Sequence, residues 1–189
     1  MNIKNLIIKF IDLIKEENIE IYNEAALQYE LAIFLRKEHP EYKIQLERNI
    51  EDFNFEKSNF KKKEMDIIIY KDKNRKQDMI VIELKAIINQ HKARPVTVFN
   101  WIEDLIFLEQ LKEHGIQCYS IFYTNENNYF IGENKTGKLL TDFRNKKIFG
   151  TYQKHQKTQK TNDIVTLKKM YHINLETVNE KEKYFIIEI

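Results

Sequence analysis

The hydrophobic pattern of the first fifty residues predicts two helices followed by a strand. Apolar side chains recur every three or four positions over 3–14, as on one face of an amphipathic helix. A second helix is predicted to begin after Asn23, a favourable N-cap residue, and to end before Pro40. Apolar residues then occupy alternate positions over 42–50, which predicts a half-buried β-strand.

Two dense runs of β-forming residues predict the centre of a sheet. These runs are 65–70 and 79–86, and eight polar residues over 71–78 separate them as a hairpin loop. Because both runs are apolar on both faces, we expect them to pair antiparallel and to lie centrally in the sheet. The preceding segment 51–63 is polar, ends in the basic run Lys61-Lys62-Lys63, and is predicted to be a loop.

The second half of the chain predicts a crossover helix and further strands. Pro95 and Gly115 bracket a helix in the favoured order, with proline just inside its start and glycine just past its end. Strands are predicted over 116–124, 128–132 and 184–189, and the basic segment 144–161 is predicted to be irregular. We therefore expect an α/β fold with a central mixed β-sheet flanked by α-helices. No break in composition divides the chain, so 1–189 is predicted to be a single domain.

The composition is that of a globular protein, with 42% hydrophobic and 32% charged residues among 189. The net charge of +2 does not by itself indicate nucleic-acid binding. Any contact with a polyanion must come from local clusters, either Lys61 to Lys63 or the C-terminal segment. The basic residues of that segment are Arg144, Lys146, Lys147, Lys154, Lys157 and Lys160.

The remaining composition narrows the location and the chemistry. A single cysteine, Cys118, excludes an internal disulfide and fits a reducing cytoplasm. No stretch approaches the about 18 apolar residues of a membrane-spanning helix, and the N-terminus does not resemble a signal peptide, so no membrane partner is expected. The five histidines have no zinc-binding spacing, and the four glycines form no phosphate-binding loop.

Three charged residues interrupt the two most apolar predicted strands. Asp66 lies in the first strand, and Glu83 and Lys85 lie in the second, where their i, i+2 spacing places them on one face. The hairpin brings Asp66 beside them. Burying such groups is costly unless they are paired, bound to a metal or open to a cleft. Two carboxylates at one strand edge suit Mg²⁺, and an adjacent lysine can act on an attacking water or on a transition state.

Asp66, sixteen intervening residues and Glu83-Leu84-Lys85 resemble the D…(D/E)-x-K motif of the PD-(D/E)xK nuclease superfamily. The layout between about residues 23 and 124 is also similar, and some short segments resemble small bacterial members. Met65 stands where many members have proline. The resemblance implies a restriction-endonuclease-like fold and Mg²⁺-dependent phosphodiester hydrolysis, most readily of DNA, with Mn²⁺ able to substitute.

The same resemblance implies roles for individual residues. Asp66, Glu83 and the backbone carbonyl of Leu84 would hold the metal, and Lys85 would act on the water or the transition state. A glutamate of the leading helix would complete the site, in part through water. Glu24 and Glu30 are both candidates for it, and the sequence around Glu30 is closer to the family pattern.

Several alternatives remain open at this point. Gln90 resembles a glutamine that some members use near the site, and members often form homodimers to cut both strands. The main alternative function is a non-catalytic module on the same fold that binds nucleic acid or a protein partner. A plain structural interpretation is a strand edge whose charged residues are paired in solvent, where each pair would contribute about 0–1 kcal/mol.

Overall fold

Two helices open the chain, as its hydrophobic pattern predicts. Helix α1 spans Ile3–Lys15 and helix α2 spans Glu24–Glu38. The side chain of Asn23 caps α2 by accepting a hydrogen bond from the backbone N–H of Ala26 at 2.7 Å, which satisfies one of the free donors of the first turn. The computed structural model describes residues 2–90, 94–131, 137–154 and 164–189.

A six-stranded mixed sheet forms the centre of the molecule, so the expected α/β class with a mixed central sheet is confirmed. Its strands are β1 (Lys43–Asn49), β2 (Glu64–Tyr70), β3 (Ile80–Ile87), β4 (Gln117–Thr124), β7 (Glu176–Thr177) and β8 (Lys183–Glu188). Their order in the sheet is β1-β2-β3-β4-β8-β7. Strand β2 pairs antiparallel with both β1 and β3, β3 and β4 pair parallel, and β8 runs antiparallel to both β4 and β7.

Helix α3 spans Pro95–Glu113 and makes the crossover from β3 to the parallel strand β4. It begins at the predicted proline, and Gly115 just beyond its end has a φ of +83°, which glycine adopts without strain. Trp101 of α3 is buried, and its Nε1 donates to Ser120 Oγ on β4 at 2.9 Å. Helices α1 and α2 pack on one face of the sheet and α3 on the other, so each face has its own apolar core.

The described part of the C-terminal basic segment, 144–154, is not irregular, which corrects the prediction there, and the rest of 144–161 lies outside the described residues. Helix α4 spans Lys138–Arg144, and β5 (Lys147–Gln153) pairs antiparallel with β6 (Ile164–His172) in a separate two-stranded sheet. Alternate residues of this hairpin are buried, including Ile148 and Tyr152, and β6 packs on α3. The two lysines Lys157 and Lys160 lie outside the described residues.

Two other predictions are also corrected. The strand predicted over 128–132 is wrong, because Asn127–Tyr129 forms a short 3-10 helix and 131 ends the described stretch. The segment 51–63 is a loop, but it is not simply polar: its phenylalanines Phe53, Phe55 and Phe60 are buried in the core beneath α3. Within the described ranges, no helix is both long enough and apolar enough to cross a membrane.

Candidate active site

The candidate active site lies where strands β2 and β3 separate. Their ladder runs from the Ile69–Ile80 pair to the Ile67–Ile82 pair and stops one residue short of Asp66 and Glu83. Strand β3 nevertheless continues beside β4 as far as Ile87. We call this place, formed by residue 66 and residues 83–86, the strand fork. The hairpin therefore brings Asp66 and Glu83 together, as the sequence predicts.

Each of the two carboxylates replaces a hydrogen bond that the separated strands no longer make. The Asp66 N–H donates to Glu83 Oε1 at 3.2 Å, and the Leu84 N–H donates to Asp66 Oδ2 at 2.8 Å. Buried backbone donors need such partners, because an unsatisfied one costs free energy comparable to a lost hydrogen bond. One oxygen of each carboxylate is thereby anchored to the backbone of the opposite strand.

Helix α2 satisfies further backbone groups of the strand fork through two side chains one turn apart. Glu24 Oε2 accepts from the Ala86 N–H at 2.9 Å, and Gln28 Nε2 donates to the Asp66 carbonyl oxygen at 2.7 Å. Gln28 also donates to Glu47 Oε1 at 2.6 Å. Residues at i and i+4 share a helix face, so a single face of α2 lies against the fork.

Lys85 pairs with Glu24, the leading-helix carboxylate that the sequence had left as the less favoured candidate. The Lys85 Nζ lies 3.0 Å from Glu24 Oε1 and 2.9 Å from Glu24 Oε2. Burial lowers the pKa of Lys85, but the carboxylate of Glu24, followed by those of Asp104 and Asp66, outweighs this effect and raises the pKa above its ordinary value. Lys85 is therefore a cation at neutral pH.

Glu30, the candidate that its sequence context favoured, lies further along helix α2. It lies six residues after Glu24, which places it about 9 Å further along the helix and about 120° around it. No hydrogen bond or ion pair within the described residues joins Glu30 to the strand fork. Gln90 is also elsewhere, since its Oε1 accepts from the Tyr129 hydroxyl at 3.5 Å.

A second lysine occupies the space between the two carboxylates. The Lys62 Nζ lies 2.9 Å from Asp66 Oδ1, contacts Glu83 Oε2, and lies 3.4 Å from Asp104 Oδ1 on helix α3. Each of the two oxygens that are not anchored to the backbone, Asp66 Oδ1 and Glu83 Oε2, therefore faces the same ammonium group. The middle member of the basic run Lys61-Lys62-Lys63 therefore contacts the strand fork.

Burial and charge shift the pKa values of Glu83, Asp104 and Lys62. Complete burial, followed by the nearby charge of Asp66, raises the pKa of Glu83 well above its ordinary value, although Lys62 opposes the shift. Burial also raises the pKa of Asp104 to about 6, again with Lys62 opposing. Burial lowers the pKa of Lys62, but Glu83, Asp104 and Asp66 together raise it above its ordinary value. Perturbed groups clustered in this way are typical of functional sites.

The residues of the strand fork fit a hard divalent cation by their chemistry, with two carboxylate oxygens already directed at one cation. Mg²⁺ in proteins is commonly bound by one or two carboxylates, with water and substrate oxygens completing its shell. The described part of the chain contains no group of three or more histidine, cysteine, aspartate or glutamate side chains placed to hold a metal ion. The fit is thus to a two-carboxylate site, and it requires the ammonium of Lys62 to move away.

Three residues of this site were not predicted from the sequence. Gln28 could have been found from its position four residues after Glu24 on the same helix face. Asp104 follows Trp101 by three residues and precedes Leu108 by four, so it lies beside the buried stripe of α3. Nothing in the sequence singles out Lys62 from its two neighbours.

Comparison of the chain with protein-family models, with curated proteins and with solved structures gives no match. The interpretation of the site therefore depends on its own geometry and on the motif in the sequence.

Proposed function

We propose that this protein is a metal-dependent nuclease that hydrolyses phosphodiester bonds, with DNA as the expected substrate. The observation that carries the proposal is the strand fork itself, where Asp66 and Glu83 each use one oxygen to hold the opposite strand and direct the other at a shared cation. The proposal includes a restriction-endonuclease-like fold, which the order of β1 to β4 and the crossover helix α3 support.

In this proposal Asp66 and Glu83 hold Mg²⁺ or Mn²⁺, and the Leu84 carbonyl is a further ligand. A bound divalent cation would supply charge neutralisation at the phosphate and a hydroxide nucleophile at neutral pH. The raised pKa of Lys85 favours a role as a fixed positive charge that orients the water or stabilises the transition state. Glu24 positions the Lys85 ammonium.

The rest of the molecule supports binding and location in less specific ways. Exposed Lys146 and Lys147 could contact nucleic-acid phosphates. Lys154 lies 5.3 Å over the ring of Phe99, and Arg144 donates to the Asn128 carbonyl, so these two side chains already have partners within the chain. A cytoplasmic location belongs to the proposal because Cys118 is a buried free thiol.

One observation favours a second candidate, a non-catalytic module that binds nucleic acid or a protein partner. The Lys62 ammonium gives Asp66, Glu83 and Asp104 a common partner without any metal ion. A protein that never binds metal would be balanced in this way. Such a module should need neither Lys85 nor a divalent cation.

A cleavage assay separates the two candidates. Plasmid DNA, single-stranded DNA and RNA are incubated with the wild type, Asp66→Asn and Lys85→Met, in Mg²⁺, in Mn²⁺ and in EDTA. We expect cleavage that requires metal and falls by about 10²- to 10⁴-fold in both variants. Lys61→Met is the matched control for Lys85→Met. Lys61 pairs with Glu103 at 3.2 Å outside the strand fork, and its replacement changes the net charge by the same amount as Lys85→Met.

Two results would contradict the nuclease. The first is cleavage by Lys85→Met at the rate of the Lys61→Met control. The second is nucleic-acid binding by the wild type that proceeds equally in EDTA and is not followed by cleavage of any of the three substrates. The second result would support the binding module.

A further inference from the structure

Lys62 has the contacts of a cation that stands in for another cation. Its ammonium group contacts the two carboxylate oxygens of Asp66 and Glu83 that no backbone group engages, and Asp104 lies at 3.4 Å on its third side. Glu83 is fully buried. A buried carboxylate and a partly buried one this close are costly to ionise together unless a positive charge lies between them.

The two sides of this contact differ in how firmly they are held. Asp66 Oδ2 and Glu83 Oε1 are fixed by backbone N–H groups of the neighbouring strand. Lys62, by contrast, lies in the loop that precedes β2, its side chain is 30% exposed, and its ammonium group makes the ionic contacts with the site. A lysine stem has four rotatable bonds, so the ammonium can leave while the carboxylates remain in position.

We propose that Lys62 is a built-in competitor of the metal ion: its ammonium group holds Asp66 and Glu83 in the metal-free protein, and a divalent cation binds at the strand fork only by displacing it. The inference depends on the proposed function, because it takes Asp66 and Glu83 as the metal ligands. It adds a regulatory property, namely that competition between the Lys62 ammonium and the divalent cation sets the affinity for metal.

This competition predicts two effects in a variant that lacks the Lys62 charge. Removing the Lys62 charge leaves the carboxylates without their counter-charge in the metal-free protein, so that protein becomes less stable. The same change removes the competitor, so the divalent cation binds more tightly. A lysine with a merely structural role would produce the first effect without the second.

The test compares wild type, Lys62→Met and Lys61→Met by calorimetric titration with Mn²⁺ and by thermal unfolding in EDTA and in Mn²⁺. We expect Lys62→Met to bind Mn²⁺ at least tenfold more tightly than the wild type and to show a larger Mn²⁺-induced rise in Tm. Lys61→Met, with the same change in net charge, should match the wild type. An unchanged Mn²⁺ affinity in Lys62→Met would overturn the inference while leaving the metal site intact.

A second measurement uses the wild type and does not require the variant to fold. Lysines are acetylated under limiting reagent in EDTA and in saturating Mn²⁺, and the modified positions are quantified by mass spectrometry. We expect acetylation of Lys62 to be slow in EDTA and to accelerate severalfold in Mn²⁺, with Lys61 as the internal reference. Acetylation of Lys62 that ignores Mn²⁺ would overturn the inference. Absence of Mn²⁺ binding in all three proteins would overturn the proposed function and the inference together.

Discussion

Two buried glutamates, one on helix α3 and the other at the strand fork, have different kinds of partners. Glu109, on α3, is 4% exposed, and its carboxylate accepts from the N–H groups of Lys168 and Lys169 and from the Tyr171 hydroxyl, at 2.8 to 3.1 Å. Glu83, at the strand fork, has one backbone donor and shares a lysine ammonium with other carboxylates.

The difference lies in whether the partners of the carboxylate can leave. The donors to Glu109 are two backbone groups and a buried hydroxyl, all part of β6, so they fasten the small sheet to α3. The free oxygen of Glu83 faces the end of a flexible side chain, which another cation can replace. Burial alone therefore does not distinguish a structural carboxylate from a functional one, whereas the kind of partner does.

The strongest test of this comparison is to replace each glutamate, Glu83 and Glu109, with glutamine. Glu83→Gln should lower the rate of DNA cleavage by about 10³-fold, because a metal ligand supplies several kcal/mol of transition-state stabilisation. Its free energy of unfolding should stay within about 1 kcal/mol of the wild type, because the change removes a buried charge next to Asp66 and leaves Lys62 its other partners. Cleavage assays and urea unfolding measure the two effects.

Glu109→Gln should behave in the opposite way. Its amide group places a donor where Lys168 N–H donates, so we expect a loss of about 1–3 kcal/mol in the free energy of unfolding. Cleavage below the unfolding transition should match the wild type. The comparison fails if Glu83→Gln is inactive only because it is unfolded, or if Glu109→Gln loses activity while remaining folded.

Glu24 is an intermediate case, because its Oε2 accepts from the Ala86 N–H while both of its oxygens contact the Lys85 ammonium. Glu24→Gln can keep the backbone hydrogen bond but loses the charge that holds the Lys85 ammonium. We expect cleavage to fall by about 10- to 100-fold, as for residues that orient a catalytic group. Glu30→Gln, the same change on the same helix, should have no effect in parallel assays. An equal loss of cleavage in both variants, or a loss only in Glu30→Gln, would mean that Glu30, which the sequence context favours, contributes to the site.

The sequence was informative about this site where local rules determine the outcome. Strand periodicity, the hairpin spacing and the cap at Asn23 correctly predicted β2, β3 and the start of α2, and so the meeting of Asp66 with Glu83. The choice between Glu24 and Glu30 needed the rotation of α2 against the sheet, which packing decides. Asp104 lies on α3, 42 residues after Lys62 in the sequence, and no local pattern predicts the contact between them.

The C-terminal hairpin of β5 and β6 shows where local sequence patterns failed to predict strands. The buried residues lie on one side of the alternating pattern of each strand, Ile148 and Tyr152 in β5 and Val165 and Leu167 in β6, but lysines and polar residues dominate the composition of the segment. A bulge between the pairs at Ile148 and Gly150 also interrupts the alternation. The basic character of the segment therefore concealed two strands whose apolar side faces α3.

The smallest effect concerns Asp104, whose pKa burial raises to about 6 from an ordinary value of 3.8. The folded protein then keeps a proton on Asp104 that the unfolded chain releases between about pH 4 and pH 6, so the contribution of this residue to stability falls as pH rises through that range. Asp104→Asn cannot ionise and escapes the loss. Its free energy of unfolding should therefore exceed that of the wild type by about 1–2 kcal/mol above pH 6 and approach it near pH 4.

Urea unfolding of both proteins across this range measures the difference, in which the titration of groups common to both largely cancels. A difference that grew toward low pH would mean that Lys62 stabilises the ionised Asp104 more than burial penalises it, and that Asp104 belongs with Glu109 among the carboxylates whose charge the fold accommodates.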